Sequence, residues 1–134
     1  MMPDWKEILS ELYKPEIGSL WVAPNAIWNN DFAHNKDKDE AHPTVVGQVF
    51  SDNIKCRIIP GTTKEYQKGT CVFKVKITND NDCPYSHFLL KLWMSYSFKG
   101  LQKLRRGWRS VDSLNEEQVK GLKQQIKFCY GIDV

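Results

Sequence analysis

Ile58-Ile59-Pro60-Gly61-Thr62-Thr63-Lys64 carries an apolar strand into a turn. The paired isoleucines favour extended, half-buried backbone. Pro-Gly ends the run, and two adjacent hydroxyls and a lysine amine follow. Sixteen residues before Ile58, His42-Pro43 stands at the head of a second apolar run, Thr44 to Phe50. If the two runs pair, His42 and Thr62 meet at one end of a sheet. An imidazole, a hydroxyl and turn amides together suit a phosphate. The plain alternative is a turn that holds nothing.

Working outward, Thr44–Phe50 and Ile54–Ile59 flank Ser51-Asp52-Asn53, which reads as a hairpin turn. Ser19–Ala23 is a short apolar strand. Cys71–Ile77 alternates, with Cys71, Phe73, Val75 and Ile77 on one face and Val72, Lys74 and Lys76 on the other. That period of two marks a half-buried antiparallel strand. Asn79-Asp80-Asn81-Asp82 is a turn cluster. Phe88–Phe98 alternates again, placing Phe88, Leu90, Leu92, Met94, Tyr96 and Phe98 on one face. Eleven residues is long for a flat strand, so a bend or bulge is expected. Trp108–Val111 reads as a last short strand.

Helices close both ends. Residues 4–13 put Trp5, Ile8, Leu9 and Leu12 on one face, with Asp4 as N-cap and Pro15 and Gly18 as stops. Near the C-terminus, Val119, Leu122, Ile126 and Cys129 recur at helical spacing. The helix starts at a cap in Ser113-Leu114-Asn115-Glu116 and stops at Gly131. Lys120, Lys123 and Lys127 read as its solvated face. The polar segment Asn29–Ala41 shows no periodicity and reads as a long loop. Many short strands and a terminal helix predict a mainly β fold, a small curved antiparallel barrel.

The 134 residues suit one domain, 1–134, with 1–16 as an N-terminal helical extension. Hydrophobic residues make up 41% and charged residues 26%, ordinary for a globular chain. No apolar run reaches the roughly 18 residues of a membrane span. The N-terminus lacks the charged and apolar regions of a signal peptide. A soluble, cytoplasmic protein with no membrane partner is expected. Cys56, Cys71, Cys83 and Cys129 lack metal-ligand spacing and read as reduced, mostly buried thiols.

The net charge of +3 is unevenly spread. No acidic residue lies between Pro84 and Asp112. That segment carries Lys91, Lys99, Lys103, Arg105, Arg106 and Arg109, interleaved with Tyr85, Phe88, Trp93, Tyr96, Phe98 and Trp108. Cations that hold phosphate beside rings that stack on bases are the composition of a nucleic-acid surface. A half-buried strand with a solvated basic face is the alternative.

The order of these motifs resembles the MazF/PemK family of toxin endoribonucleases, which share a small SH3-like barrel with the CcdB toxins. Gly18-Ser19-Leu20-Trp21-Val22 resembles the family's opening Gly-Asp-φ-Trp-φ strand, φ being apolar. His42-Pro43-Thr44-Val45-Val46 resembles its Arg-Pro and valine-rich strand, and Ile59-Pro60-Gly61-Thr62-Thr63 its Val-Pro-x-Thr-Ser/Thr turn. Ser86-His87-Phe88-Leu89-Leu90 resembles the start of its long central strand. Leu114-Asn115-Glu116-Glu117 through Tyr130-Gly131-Ile132 resembles its closing helix.

The resemblance implies an SH3-like homodimer of a type II toxin–antitoxin system. It would cut single-stranded RNA without metal or other cofactor, leaving a 2′,3′-cyclic phosphate, and be held by an acidic antitoxin protein. Carried over by position, His42 and Thr62 are the catalytic pair. Thr63, Lys64, Lys91 and Arg109 hold RNA. His34 and His87 are set aside. The sequence departs from the pattern at His42, where the family has Arg, and at Lys91 and Met94, where many members carry Asp and Arg. A non-catalytic module of the same fold, binding RNA or a protein, is therefore the rival reading.

Overall fold

The computed structural model describes residues 15–28, 41–52, 54–63, 71–77 and 84–134. Its centre is the expected hairpin. β2 (Ala41–Val49) and β3 (Lys55–Thr62) pair antiparallel, with Val46 opposite Ile58 and Thr44 opposite Pro60. Asp52 fixes the turn between them: its carboxylate accepts from the Ile54 and Lys55 backbone N–H groups at 2.9 and 3.1 Å. Those two bonds hold its pKa below the usual carboxylate range. A register shift between Val46 and Gln48 marks a bulge at Gly47. A Cβ there would come within 2.5 Å of Ile59 Cδ1, so only glycine lets β2 cross Ile59. The paired register ends at Thr44–Pro60, where Pro43 and Pro60 bring no N–H to the ladder.

Beside β2 lies β1 (Leu20–Pro24), with Leu20 opposite Val45 and Ala23 opposite His42. The other edge of β3 takes two partners in succession. β6 (Met94–Ser97) runs along Lys55–Ile58, and β5 (Ser86–Leu89) along Gly61–Thr62. β4 (Val72–Val75) pairs with β5, and β7 (Arg105–Arg106) with β1. The order is β4-β5-β3-β2-β1-β7, with β6 also on β3. Among the described residues no ladder joins β4 to β7. The seven strands form an antiparallel sheet that is not closed into the expected barrel.

Each face of the sheet buries its own core. On one face Leu20, Val45, Ile59, Phe88 and Leu90 pack under Leu122 and Ile126 of α2 (Glu116–Tyr130). On the other, Trp21, Ala23, Val46, Cys56, Ile58 and Leu89 pack under Trp28 and under Phe98 and Leu101 of α1 (Phe98–Gln102). The α2 boundaries follow the sequence. Asn115 and Gln118 form a reciprocal capping box, and Gly131 closes the helix in the left-handed region at φ 69°.

Three readings change. The run from Phe88 to Phe98 breaks at a 3-10 turn, Leu90–Leu92, between β5 and β6. The turn rotates the strand, so Phe88 and Leu90 join the first core while Met94, Tyr96 and Phe98 join the second. Trp108–Val111 is a tight turn rather than a strand. Its end residues exchange backbone bonds of 2.9 and 3.0 Å around Arg109 and Ser110, at φ 51° and 66°. Cys71 and Cys129 are not reduced thiols. They form a disulfide, with Cα atoms 5.6 Å apart across 58 residues, because β4 and α2 share one core. Cys56 is a free, fully buried thiol, and burial pushes its pKa up to about 12. The expected helix over 4–13, the loop over 29–40, and Lys64, Cys83 and the 79–82 turn lie outside the described residues.

Candidate functional site

The sheet register brings His42 and Thr62 to one end of one face. Thr44 opposite Pro60 is the last pair of the β2–β3 ladder, and His42 and Thr62 each lie two residues beyond it. The strands still adjoin there, since a Cβ on Gly61 would lie 3.0 Å from the Pro43 carbonyl oxygen. Beyond Thr62, the next strand over presents His87 as its partner, and His87 in turn faces Lys74 on β4. On the other side Ala23 of β1 faces His42. Directly opposed residues share a face, so Ala23 and His42 lie side by side on β1 and β2, and Thr62, His87 and Lys74 on β3, β5 and β4; the two sets adjoin where the β2–β3 ladder ends and together make a row.

His42 and Thr62 are each 8% exposed and His87 is 7% exposed, while Lys74 reaches solvent at the rim. Tyr85, two residues before His87 and hence on its face, is 48% exposed, and the Lys74 Nζ lies 4.6 Å from the centre of its ring. The row therefore presents two imidazoles that each offer donor and acceptor nitrogens, a hydroxyl between them, and an ammonium beside an open aromatic ring. This chemistry suits a phosphate flanked by a base. Among the described residues, no group of three or more His, Cys, Asp or Glu side chains is arranged to hold a metal ion.

The other sequence candidates lie elsewhere. Thr63 is exposed, one residue beyond β3. Lys64 lies outside the described residues. Lys91 is exposed on the 3-10 turn, at the end of β5 away from His87. Arg109 is exposed at the tip of the Trp108–Val111 turn. The chain reaches that turn by passing Leu20, at the end of β1 opposite Ala23. The fold brings His42 and Thr62 together and does not bring Lys91 or Arg109 to them.

The basic and aromatic interleaving is divided by burial. Phe88 and Phe98 are core residues. Trp93 stacks on Tyr130 with ring centres 4.4 Å apart and planes at 9°. The Arg57 guanidinium lies 4.5 Å from the Trp93 ring centre and 5.3 Å from that of Phe50, and it donates to Gln48 Oε1 at 3.1 Å. The Tyr130 hydroxyl donates to the Leu90 carbonyl at 2.8 Å. This stack locks the end of α2 onto the sheet. Arg106 is likewise engaged, 4.8 Å from the Trp21 ring centre and donating to the Asp112 carbonyl and Ser113 Oγ at 3.1 and 3.0 Å.

Sequence reasoning named Tyr85 among the interleaved rings and set His87 aside, and it gave Lys74 no role at the site. Their one visible signal was alternation, which put Lys74 on the outer face of its strand. That β5 inserts between β3 and β4 is a tertiary fact with no local signature. The chain matches no protein-family model, and no curated protein matches it.

Proposed function

We propose that the protein is a metal-independent endoribonuclease for single-stranded RNA, with an SH3-like fold of the MazF/PemK type and the role of a toxin restrained by an acidic antitoxin. The observation that supports this reading is that His42 and Thr62 lie past the same end of the β2–β3 ladder, each two residues beyond the Thr44–Pro60 pair. The motif order asks for that arrangement if the two residues are to share a phosphate. Thr62 would bind a non-bridging oxygen through its hydroxyl, and His42 would move a proton. The 2′-oxygen attacks phosphorus, the bond to the 5′-oxygen breaks, and the products are a 2′,3′-cyclic phosphate and a 5′-hydroxyl. Independence from metal, the homodimer and the antitoxin follow from the resemblance and belong to the same proposal.

A second reading is favoured by burial. At 8% exposure, His42 and Thr62 suit a structural strand end in a module that binds RNA or protein without cutting it. Cleavage of a labelled single-stranded RNA in chelator, with end-group analysis, separates the two. The enzyme reading expects cyclic phosphate ends and a rate that falls roughly 10²–10⁴-fold in His42→Ala, the usual scale for a lost acid or base. If RNA is bound but not cut, and His42→Arg cuts it, the protein is a binding module of nuclease ancestry.

A further inference from the structure

We propose that His87 is the second proton-transfer group of this site, opposite His42 across Thr62, and that Lys74 and Tyr85 receive the adjoining nucleotide of a single-stranded RNA. This rests on the endoribonuclease reading above. Cleavage by an internal hydroxyl is an in-line displacement, in which the attacking and departing oxygens stand on opposite sides of phosphorus. A base is needed at one and an acid at the other, and one imidazole does not reach both. The row supplies a second imidazole on the far side of Thr62, on the same face and at the same depth of burial.

The proton balance closes without a co-reactant. As the O2′–P bond forms, one imidazole accepts the 2′-hydroxyl proton. As the P–O5′ bond breaks, the other, protonated, gives its proton to the departing oxygen. Thr62 lies between them, where the non-bridging oxygens gather charge. Lys74 is the only lysine, arginine or carboxylate on the row, and its ammonium sits over the exposed Tyr85 ring. A base stacked on that ring would carry its phosphate to the ammonium. The neighbouring strands contribute Ala23 from β1 and Thr62 from β3, so among the described residues the titrating groups of the row and its rim are His42, His87, Lys74 and Tyr85.

The test compares wild type, His42→Gln, His87→Gln and the rim variants Lys74→Ala and Tyr85→Leu on two single-stranded RNA probes. One carries a normal phosphodiester. The other has sulfur in place of the 5′-bridging oxygen, and such a leaving group departs without a proton. On the normal probe the wild type is expected to show a bell-shaped pH–rate profile. His87→Gln should lose roughly 10²–10⁴-fold in rate and one limb of that profile, and still bind a 2′-deoxy probe. On the sulfur probe, whichever histidine variant lacks the acid should recover most of its rate, and the other should not. The rim variants, which are solvent-facing and leave the fold intact, should weaken RNA binding several-fold and keep both limbs. An inert wild type removes the endoribonuclease reading. A cleaving wild type whose His87→Gln variant, folded by circular dichroism, keeps rate and both limbs overturns the role of His87 alone. If His87→Gln does not fold, unchanged binding in both rim variants overturns the proposal.

Discussion

Reduction of the Cys71–Cys129 disulfide should lower the melting temperature by roughly 15 °C, on the following bookkeeping. The bond closes a loop of 58 residues that contains β4, β5, β6, α1, β7 and most of α2. Restricting the unfolded chain by a loop of that length removes about 14 cal/mol/K of entropy, or about 4 kcal/mol at 25 °C. That is a large share of the ~5–15 kcal/mol by which domains are stable. An unfolding entropy of about 2.1 cal/mol/K per residue, over 134 residues, converts 4 kcal/mol into roughly 15 °C. The assay is thermal unfolding by circular dichroism with and without a phosphine reductant, for wild type and Cys129→Ser. Reduced wild type and untreated Cys129→Ser should melt together, and reductant should not lower the variant further. A non-reduced digest should contain a linked peptide pair from β4 and α2. Equal melting temperatures in both buffers, or Cys71 and Cys129 recovered singly alkylated, would refute the reasoning.

Two further expectations concern the core. Gly61→Ala should destabilise by about 1–3 kcal/mol, the range for overpacking. Its Cβ would meet the buried Phe88 ring at 2.8 Å and the Pro43 carbonyl at 3.0 Å; a urea midpoint equal to wild type would show that the β2–β3–β5 packing is wrong. Cys56, lifted from 9.0 to about 12 by burial, should make the fold less stable as pH rises through that window. The unfolded chain releases the thiol proton there and the folded chain keeps it, so stability is full below pH 9 and declines above. Comparing urea midpoints at pH 8 and 10 in wild type and Cys56→Val checks this, and an identical decline in both proteins would count against it.

What could be read from the sequence was what repeats locally. The alternation of Cys71, Phe73, Val75 and Ile77 gave the buried face of β4, because a strand exposes its period to its own neighbours. The ends of α2 could be read because Asn115 and Gly131 act within a turn of themselves, although the capping box forms between Asn115 and Gln118 rather than within Ser113–Glu116. The bend expected between Phe88 and Phe98 is there, at Leu90–Leu92, but the single face was misread: alternation continues in the residue types while the backbone turns, so one stripe serves two cores. Composition misled in a related way. Interleaved rings and cations look like a binding strip, yet Phe88 and Phe98 are core, and Trp93 and Tyr130 are stacked on each other and on Arg57. His42 opposite Thr62 was within reach because one hairpin fixes it. His87 was not, since its place depends on β5 entering between two strands that are not its only sequence neighbours. The disulfide was hidden for the same reason, its cysteines being 58 residues apart.

The burial of position 42 also bears on why an imidazole stands there. A guanidinium cannot shed its charge, so burying one requires a fixed counter-charge or a full set of acceptors. The row offers His42 a threonine hydroxyl on one side and Ala23 on the other, with no carboxylate among its members. Histidine can occupy such a place because an imidazole, unlike a guanidinium, is able to be neutral. The fixed positive charge is displaced to Lys74, at the exposed end of the same row, where water solvates it until a phosphate arrives. In the proposed reaction, binding charge and proton transfer would be divided between different residues, whereas an arginine at position 42 would supply charge alone. Under the proposed function, the His-for-Arg difference would mark a rearranged site rather than a lost one, with His87 as the second imidazole of that site.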